Sequence, residues 1–225
     1  MSRKIIPFVI AFVLICLVMV VAGVFSFSGL AAAQKFGSTV AWSQSYNTAE
    51  SMKVIDLTGD GQDELFIQNT SNVSAFDGNG TALFNFNYNV PKTTLGDVNG
   101  DGVEDIVVYH FGSGASVDVI SKGNPTTIAQ TLNIGTPARI AVLRFSSGPE
   151  IVLGDTSGNI LALNTDGAPL WTSNVGSAEI RGMDDALIGG EVHVTIASND
   201  GTVKVFSSDG KNVWTVNQEE LRRMR

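Results

Sequence analysis

Short runs of alternating apolar and polar residues fill most of the chain after residue 50, and clusters of Gly, Asn and Asp separate them. Such alternation, bounded by turn-forming residues, is typical of short antiparallel β-strands. In the first complete unit the pattern predicts strands at residues 52–55, 64–68, 73–76 and 82–86. Four strands in a unit of roughly 43 residues indicate one propeller blade.

Self-comparison shows that this unit recurs. Residues 155–172 align without a gap to residues 198–215, which places Trp171 in register with Trp214. Residues 73–84 align to residues 160–171 with Phe84 at the tryptophan position, and residues 126–129 are the blurred equivalent in the second unit. Because Trp42 resembles the end of a strand of the same kind, four repeats run between Trp42 and Trp214. The sequence therefore predicts an all-β fold, a β-propeller of about four four-stranded blades, in residues 34–217.

The sequence leaves the closure of these blades open. Either the four blades close as a small ring, or they form an open arc that a partner or a second copy completes. An extra outer strand is predicted around Trp42. Unpaired strand edges recruit further strands, so this strand is a candidate for pairing with another chain.

Two acidic loops follow the first predicted strand of blades 1 and 2 and share one ligand pattern. Calcium takes about six to eight oxygen ligands, and alternate residues of a tight loop can point inward to supply them. The pattern predicts a structural Ca²⁺ ion in each loop, which neutralises clustered carboxylates and holds the first turn of the blade. The candidate ligands are Asp56, Thr58, Asp60, Gln62 and Glu64 in the first loop, and Asp97, Asn99, Asp101, Val103 and Asp105 in the second.

These loops differ from a helix–loop–helix calcium site. That site requires Glu at position 12, where this chain has Ile67 and Val108 inside strand-like runs. The corresponding segment of the third repeat, residues 144–150, lacks the ligands, and residues 184–191 of the fourth keep acids without the spacing. Only the first two blades are therefore expected to hold calcium.

The amino-terminal segment, residues 1–33, is predicted to be a cytoplasmic basic tip followed by a transmembrane helix. Residues 5–25 contain no charge and follow Arg3 and Lys4, and about 20 apolar residues are enough to span a bilayer. The alternative is a cleaved signal peptide, because small residues at 31–33 resemble a cleavage site. Both interpretations place the propeller outside the cytoplasm. Residues 218–225 are predicted to be a short helical or frayed tail.

Charge and cysteine content narrow the function classes. The formal net charge is −8, which argues against nucleic acid and anionic membrane surfaces, because both need basic patches. An acidic surface suits cations. The single cysteine, Cys16, lies in the apolar segment, so the exported part has no disulfide and depends on core packing and metal for stability.

The acidic loops resemble those of FG-GAP and integrin-alpha-like propeller repeats, in which an Asp-rich loop leads into a strand. Asp97, Asn99, Asp101 and Asp105 match that pattern closely, whereas the first loop matches it with two substitutions. Residues 162–171 and 205–214 resemble blades of quinoprotein-type propellers, in which the closing Trp packs between blades. The resemblance implies a propeller architecture and says little about activity, because propellers host many functions. Complete propellers of these families have seven or eight blades, more than this chain carries.

A binding or scaffold function is therefore expected, with a protein or glycan partner and no enzymatic activity. No triad, paired-acid or phosphate-loop signature stands out, and the regular spacing of Trp42, Trp171 and Trp214 favours packing between blades over a ligand platform. His110 and His193 have no metal-spaced neighbours and are interpreted as ordinary strand residues. The alternative is a structural subunit of a larger membrane or cell-surface complex, and a quinoprotein-like enzyme is the least favoured hypothesis.

Overall fold

Sixteen strands form four antiparallel sheets in the computed structural model, which describes residues 42, 43, 45 and 48–217. Each sheet takes four consecutive strands in chain order, so neighbouring strands within a blade are joined as hairpins. Blade 1 contains β1 (Ser51–Ile55), β2 (Glu64–Gln68), β3 (Asn72–Phe76) and β4 (Ala82–Asn87). The four strands predicted for this unit are confirmed, with ends that shift by one residue at most.

The other three blades repeat the same order. Blade 2 contains β5 (Lys92–Gly96), β6 (Asp105–Phe111), β7 (Ala115–Ser121) and β8 (Asn124–Leu132). Blade 3 contains β9 (Pro137–Phe145), β10 (Gly148–Asp155), β11 (Asn159–Leu163) and β12 (Pro169–Asn174). Blade 4 contains β13 (Ile180–Ile188), β14 (Glu191–Ser198), β15 (Val203–Phe206) and β16 (Asn212–Val216). The predicted all-β fold with four four-stranded blades is confirmed.

The hydrophobic core lies between blades, because alternate residues of each strand point to opposite faces of a sheet. Residues paired directly across strands share a face. One such row crosses blade 3 and packs against blade 4; it consists of Ala141, Val152, Ala162 and Trp171. Equivalent clusters join blade 1 to blade 2 and blade 2 to blade 3. Each blade therefore depends on its neighbours for burial.

The first and last blades keep one face that no other blade covers. Among the described residues, no hydrophobic cluster combines residues of blade 1 with residues of blade 4. Among the inner strands, β9 is mostly buried and β5 is mostly half-buried, whereas β1 and β13, which belong to the end blades, also have exposed residues. This part of the chain is an open stack of four blades, which favours the open arc over the closed ring.

Trp42 covers the free face of blade 1. With Ala49 and Met52 it packs on the cluster formed by Leu65, Ile67 and Phe76. Trp42 lies outside the sixteen strands, so the extra outer strand predicted around it is not observed at this residue. Its side chain nevertheless takes part in the core.

Two other predicted segments lie outside the described residues, namely the membrane segment at residues 1–33 and the tail at residues 218–225. Of the residues that are described, none belongs to a helix with the length and apolar character needed to cross a bilayer.

Candidate functional site

The two acidic loops occupy the same place in successive blades. Residues 56–63 join β1 to β2, and residues 97–104 join β5 to β6, as the sequence predicts. In the first loop, Gly59 and Gly61 have φ angles of 77° and 83°. In the second, Gly100 and Gly102 have φ angles of 79° and 82°. Glycine adopts this left-handed region without steric cost, so the glycines give both loops the same backbone path.

Backbone amides hold the acids of the first loop. The Gly59 N–H donates to Asp56 Oδ1 at 2.6 Å, and the Gly61 N–H donates to Asp56 Oδ2 at 2.9 Å. Glu64 reaches back from the start of β2, and its Oε2 accepts the N–H groups of Leu57 at 2.8 Å and Thr58 at 3.2 Å. Asp56 and Glu64, the first and last acids of the ligand pattern, therefore stabilise the two ends of the loop through hydrogen bonds from backbone amides.

Negative charge is concentrated in the first loop. Burial raises the pKa of the Glu64 carboxyl, and the charges of Asp60 and Asp56 raise it further, against the hydrogen bonds from Leu57 and Thr58. Burial also acts to raise the pKa of Asp56, but hydrogen bonds from the loop amides, chiefly Gly61 and Gly59, leave it lowered. None of the ion pairs between described residues involves these three acids.

The second loop repeats this hydrogen-bond pattern. Asp97 Oδ1 accepts the Gly100 N–H at 2.6 Å, and Asp97 Oδ2 accepts the Gly102 N–H at 3.1 Å. Asp105 Oδ2 accepts the Val98 N–H at 3.0 Å, as Glu64 does for Leu57. Asn99 Nδ2 donates to Asp105 Oδ1 at 3.3 Å. The hydrogen bonds made by the first and last acids of the pattern therefore recur in both loops.

The second loop differs because two basic side chains approach its acids. Lys122 Nζ lies 2.9 Å from Asp101 Oδ2, and this hydrogen bond lowers the pKa of Asp101 and raises that of Lys122. Arg144 Nη2 of blade 3 donates to the Asp97 carbonyl oxygen at 3.2 Å and lies 3.7 Å from Asp97 Oδ2. The second loop is thus partly neutralised by the protein itself.

The donor types of both loops fit Ca²⁺, which prefers carboxylate, carbonyl and hydroxyl oxygen. The Thr58 hydroxyl is buried and has no hydrogen-bond partner in the described part of the chain, so it is free to act as an oxygen ligand. Gln62 and Val103 have a backbone carbonyl to offer. Within the described residues, however, no three His, Cys, Asp or Glu side chains converge at metal-binding distance. The ligand chemistry therefore fits the ion, whereas the acids are turned toward the loop amides.

The corresponding segments of blades 3 and 4 are plain hairpins. Ser146 and Ser147 alone separate β9 from β10, and Gly189 and Gly190 separate β13 from β14. The acids expected in the fourth loop, Asp184 and Asp185, lie within β13 instead and pair with β14. Neither connection has the length of the acidic loops in blades 1 and 2.

A polar cluster that the sequence did not single out lies where blade 1 meets blade 2. His110 of β6 and Asp118 of β7 are diagonal neighbours, with His110 Nε2 3.5 Å from Asp118 Oδ2. The Tyr88 ring packs against the His110 ring in a tilted arrangement, with 4.8 Å between centroids and 52° between the ring planes. Burial and the charge of Asp118 raise the pKa of Tyr88. The available signal was the hairpin between residues 111 and 115, which brings positions 110 and 118 together.

His193, by contrast, is an ordinary strand residue. It is buried in β14, and its Nδ1 lies 3.0 Å from the carbonyl oxygen of Glu191 two residues earlier. No acid or second histidine is placed beside it by the described contacts. The interpretation of His193 as structural agrees with this environment.

The three tryptophans do not share one environment. Trp171 and Trp42 both pack into the core beside a phenylalanine, at centroid distances of 5.9 Å from Phe206 and 5.8 Å from Phe76. Trp214 is 52% exposed on β16. The prediction of packing between blades is therefore confirmed for Trp171 and wrong for Trp214, whose blade has no successor in the described chain.

Comparisons with known proteins show the fold and no family. No protein-family model matches the sequence. No curated protein matches it either. Among solved structures, the chain is similar to BBS1N, solved in complex with ARL6DN, with a TM-score of 0.61 and 16% identity over 88% of this chain and 70% of that one.

Two further structures have the same kind of likeness. BamB from Moraxella catarrhalis matches with a TM-score of 0.52 and 16% identity over 80% of this chain. The biofilm matrix protein Bap1 of V. cholerae matches with a TM-score of 0.53 and 19% identity over 76% of this chain. This chain spans 55% of the BamB chain and 28% of the Bap1 chain. BBS1N and BamB are β-propellers, which supports the architecture, while no family match supports the FG-GAP resemblance.

Proposed function

We propose that this protein is a membrane-anchored, extracytoplasmic β-propeller module that binds a protein partner and is stabilised by calcium, without enzymatic activity. The observation that carries this proposal is the apolar end of blade 4. Two large apolar side chains, Ile188 (43% exposed) and Trp214 (52% exposed), lie there on the face directed away from blade 3. Tryptophan is enriched where binding energy is concentrated. A protein suits this end better than a glycan.

The similar solved structures also support a protein-binding role. BBS1N was solved together with a second protein, ARL6DN, and Bap1 is a biofilm matrix protein. Both share only the fold with this chain, and they are consistent with a role in protein association. The proposal for this chain rests on its own exposed surface.

Calcium would be held by the two acidic loops through Asp56, Thr58, Asp60, Gln62 and Glu64, and through Asp97, Asn99, Asp101, Val103 and Asp105. A bound ion supplies positive charge that offsets the repulsion between clustered carboxylates. The first loop has the greater need, because no ion pair in the described residues neutralises it. The second loop already has Lys122 beside Asp101.

Thermal unfolding of the full chain in mild detergent tests the calcium part of the proposal. A ligand at 100 times its dissociation constant stabilises the native state by about 2.7 kcal/mol, so millimolar calcium should raise the midpoint relative to chelator. Asp60→Asn together with Asp101→Asn should remove most of this response. Asp166→Asn, an exposed acid of blade 3, is the matched control and should keep it. An equal midpoint with calcium and with chelator rejects the ion.

Cysteine labelling tests the location. The only native cysteine is Cys16, so Lys211→Cys places a single thiol on the propeller, where the Lys211 side chain is exposed. A membrane-impermeant maleimide should label this variant on intact cells and should not label the parent chain. Labelling of the variant only after lysis would place the propeller in the cytoplasm.

Cross-linking tests the partner. The full chain is cross-linked in cells, and the proteins joined to it are identified by mass spectrometry. Trp214→Ser should lose the partner, whereas Leu170→Ser, a similarly exposed apolar position on β12 of the inner blade 3, should retain it. Equal recovery with both variants would show that the apolar end of blade 4 does not bind.

A further inference from the structure

One contact between neighbouring blades is built from a tryptophan, a phenylalanine and a turn glycine. Trp171 of blade 3 lies 5.9 Å from Phe206 of blade 4, with the rings 24° apart. The indole also covers Gly210, where an added Cβ would lie only 2.7 Å from the ring. Gly210 is therefore the floor of a slot that admits the indole because it has no side chain.

The same slot exists on blade 1, and Trp42 fills it. Trp42 lies 5.8 Å from Phe76, and a Cβ added at Gly80 would lie 2.6 Å from its ring. Phe76 precedes Gly80 by the same spacing that separates Phe206 from Gly210. Residues 42–50 also align without a gap to residues 171–179, with Trp, Ala and Glu identical. Trp42 is thus placed as the closing tryptophan of a blade that would precede blade 1.

Trp214 has the position of a closing tryptophan but has no slot. It pairs with Val205 across the ladder, just as Trp171 pairs with Ala162. Its side chain therefore points to the face of blade 4 that is directed away from blade 3. Trp214 is 52% exposed, and Ile188 on the same face is 43% exposed. Trp214 is therefore exposed at the end of the stack, and the described residues contain no unoccupied slot over a turn glycine that could receive it.

We propose that the free face of blade 4 docks on blade 1 of a second copy of this chain, where Trp214 replaces Trp42 over Gly80. The partner is inferred from the repeat contact itself, because blade 1 has the phenylalanine and turn glycine that receive Trp171 in blade 4. Two stacks of four blades joined in this way form a ring of eight, with two identical interfaces. A head-to-tail interface that closes yields a finite assembly instead of a filament. The inference deepens the proposed function, because it names the protein partner.

Trp42 regulates this association by competition. It is attached to the chain it covers, and a short tether gives an effective concentration in the millimolar range. Trp214 of a second copy reaches a comparable concentration only at millimolar protein. The parent chain is therefore monomeric at micromolar concentration, and removal of the Trp42 indole opens the slot.

The test measures the mass of the protein component in detergent by light scattering, using the full chain. At about 10 μM the parent should be a monomer and Trp42→Ala should have twice that mass, an estimate that follows from the loss of a millimolar competitor. Adding Trp214→Ala should restore the monomer. Adding Leu170→Ala, an exposed apolar residue of β12 in the inner blade 3, should leave the dimer unchanged.

A folded Trp42→Ala chain that stays monomeric overturns the proposal, and so does a dimer that persists with Trp214→Ala. Folding is checked by cooperative thermal unfolding. If Trp42→Ala does not fold, the parent chain is measured at about 1 mM, near the effective concentration of the tether. A dimer there that is lost with Trp214→Ala supports the proposal, and a monomer rejects it. A monomer whose Trp214 still determines cross-linking to another protein would reject only the second copy and leave the proposed function standing.

Discussion

The indole of Trp171 stacks on the ring of Phe206 across the boundary between blades 3 and 4, with 5.9 Å between centroids. The contact requires a glycine at position 210, because the indole occupies the space of a side chain there. One aromatic pair thereby connects the outer strand of one blade to a turn of the next. A tryptophan that repeats in the sequence therefore forms the contact between two successive blades.

Gly210→Ala tests how strictly the slot is built. The substitution should destabilise the protein by about 1–2 kcal/mol for the left-handed backbone, since Gly210 has φ of 75°, and by about 1–3 kcal/mol more for overpacking against Trp171. Gly189→Ala is the matched control, because Gly189 also has positive φ and nothing within 4 Å of an added Cβ. Urea unfolding of the full chain measures both. Equal losses of unfolding free energy for the two variants would show that the indole moves aside without a measurable loss of stability.

Asp155 is a buried carboxylate in the core that accepts hydrogen bonds on both of its oxygens. It is fully buried at the end of β10, and it accepts hydrogen bonds from the N–H groups of Gly135, Ser157 and Asn159 and from Asn159 Nδ2. Asp155→Asn replaces an acceptor with a donor that faces other donors, and we expect a loss of about 3 kcal/mol in the free energy of unfolding.

Asp77→Asn is the control for that substitution. Asp77 accepts the N–H groups of Asn79 and Thr81 in the β3–β4 turn of blade 1, in contact with solvent. We expect a much smaller loss at this site, because water can replace the lost hydrogen bonds. A loss at Asp155 as small as the loss at Asp77 would show that burial adds nothing to the cost of removing an acceptor at Asp155.

The cluster around Asp118 predicts an acid-sensitive contribution to stability. Burial acts to raise the pKa of Asp118, but the neighbouring side chains of His110, Thr127 and Tyr88 leave it lowered overall. A carboxyl with a lowered native pKa stabilises the fold above its unfolded pKa and loses that contribution as pH falls through the native value. The free energy of unfolding of the parent chain should therefore exceed that of the Asp118→Asn variant by about 1–2 kcal/mol at pH 6.

Unfolding experiments at several pH values check this prediction. The difference between the parent and Asp118→Asn should shrink as pH falls below about 4, since the unfolded carboxyl titrates near 3.9. Asp166→Asn, at an exposed turn, should show no such trend. A difference that stays constant down to pH 3 would mean that the charge of Asp118 does not contribute.

Lys122 should weaken calcium binding in the second loop. Its ammonium group lies 2.9 Å from Asp101 Oδ2 and competes with a cation for that oxygen. Lys122→Met removes the competitor. Because the pair is solvent-exposed, its interaction is weak, so we expect calcium binding to tighten by no more than about fivefold.

Titration calorimetry of the full chain compares this variant with Lys204→Met. Lys204 donates to the Asn174 carbonyl oxygen far along the chain from both loops, so its removal should leave the affinity unchanged. Equal calcium affinity for the parent and both variants would contradict competition by Lys122. No heat for any of them would reject the calcium proposal itself.

Local pattern was sufficient to predict the strands of blade 1, because alternation of period two and Gly-rich turns act within a few residues. The acidic loops were also placed correctly between the first and second strands of blades 1 and 2. The Tyr88, His110 and Asp118 cluster was not predicted, because its members come from two blades. Lys122 and Arg144 were missed for a similar reason. Lys122 lies in the turn between β7 and β8, and Arg144 lies in β9 of blade 3, so both are distant in sequence from the loop that they contact.

The sequence by itself determined the blade as a unit, the number of blades, and the positions of the acidic loops and closing tryptophans. These features follow from residue spacing, which the chain carries locally. Only the tertiary structure decided that Trp42 and Trp171 are covered while Trp214 is exposed. The three residues have similar neighbours in sequence, but burial depends on whether another blade stacks against them, and the last blade of an open stack has none.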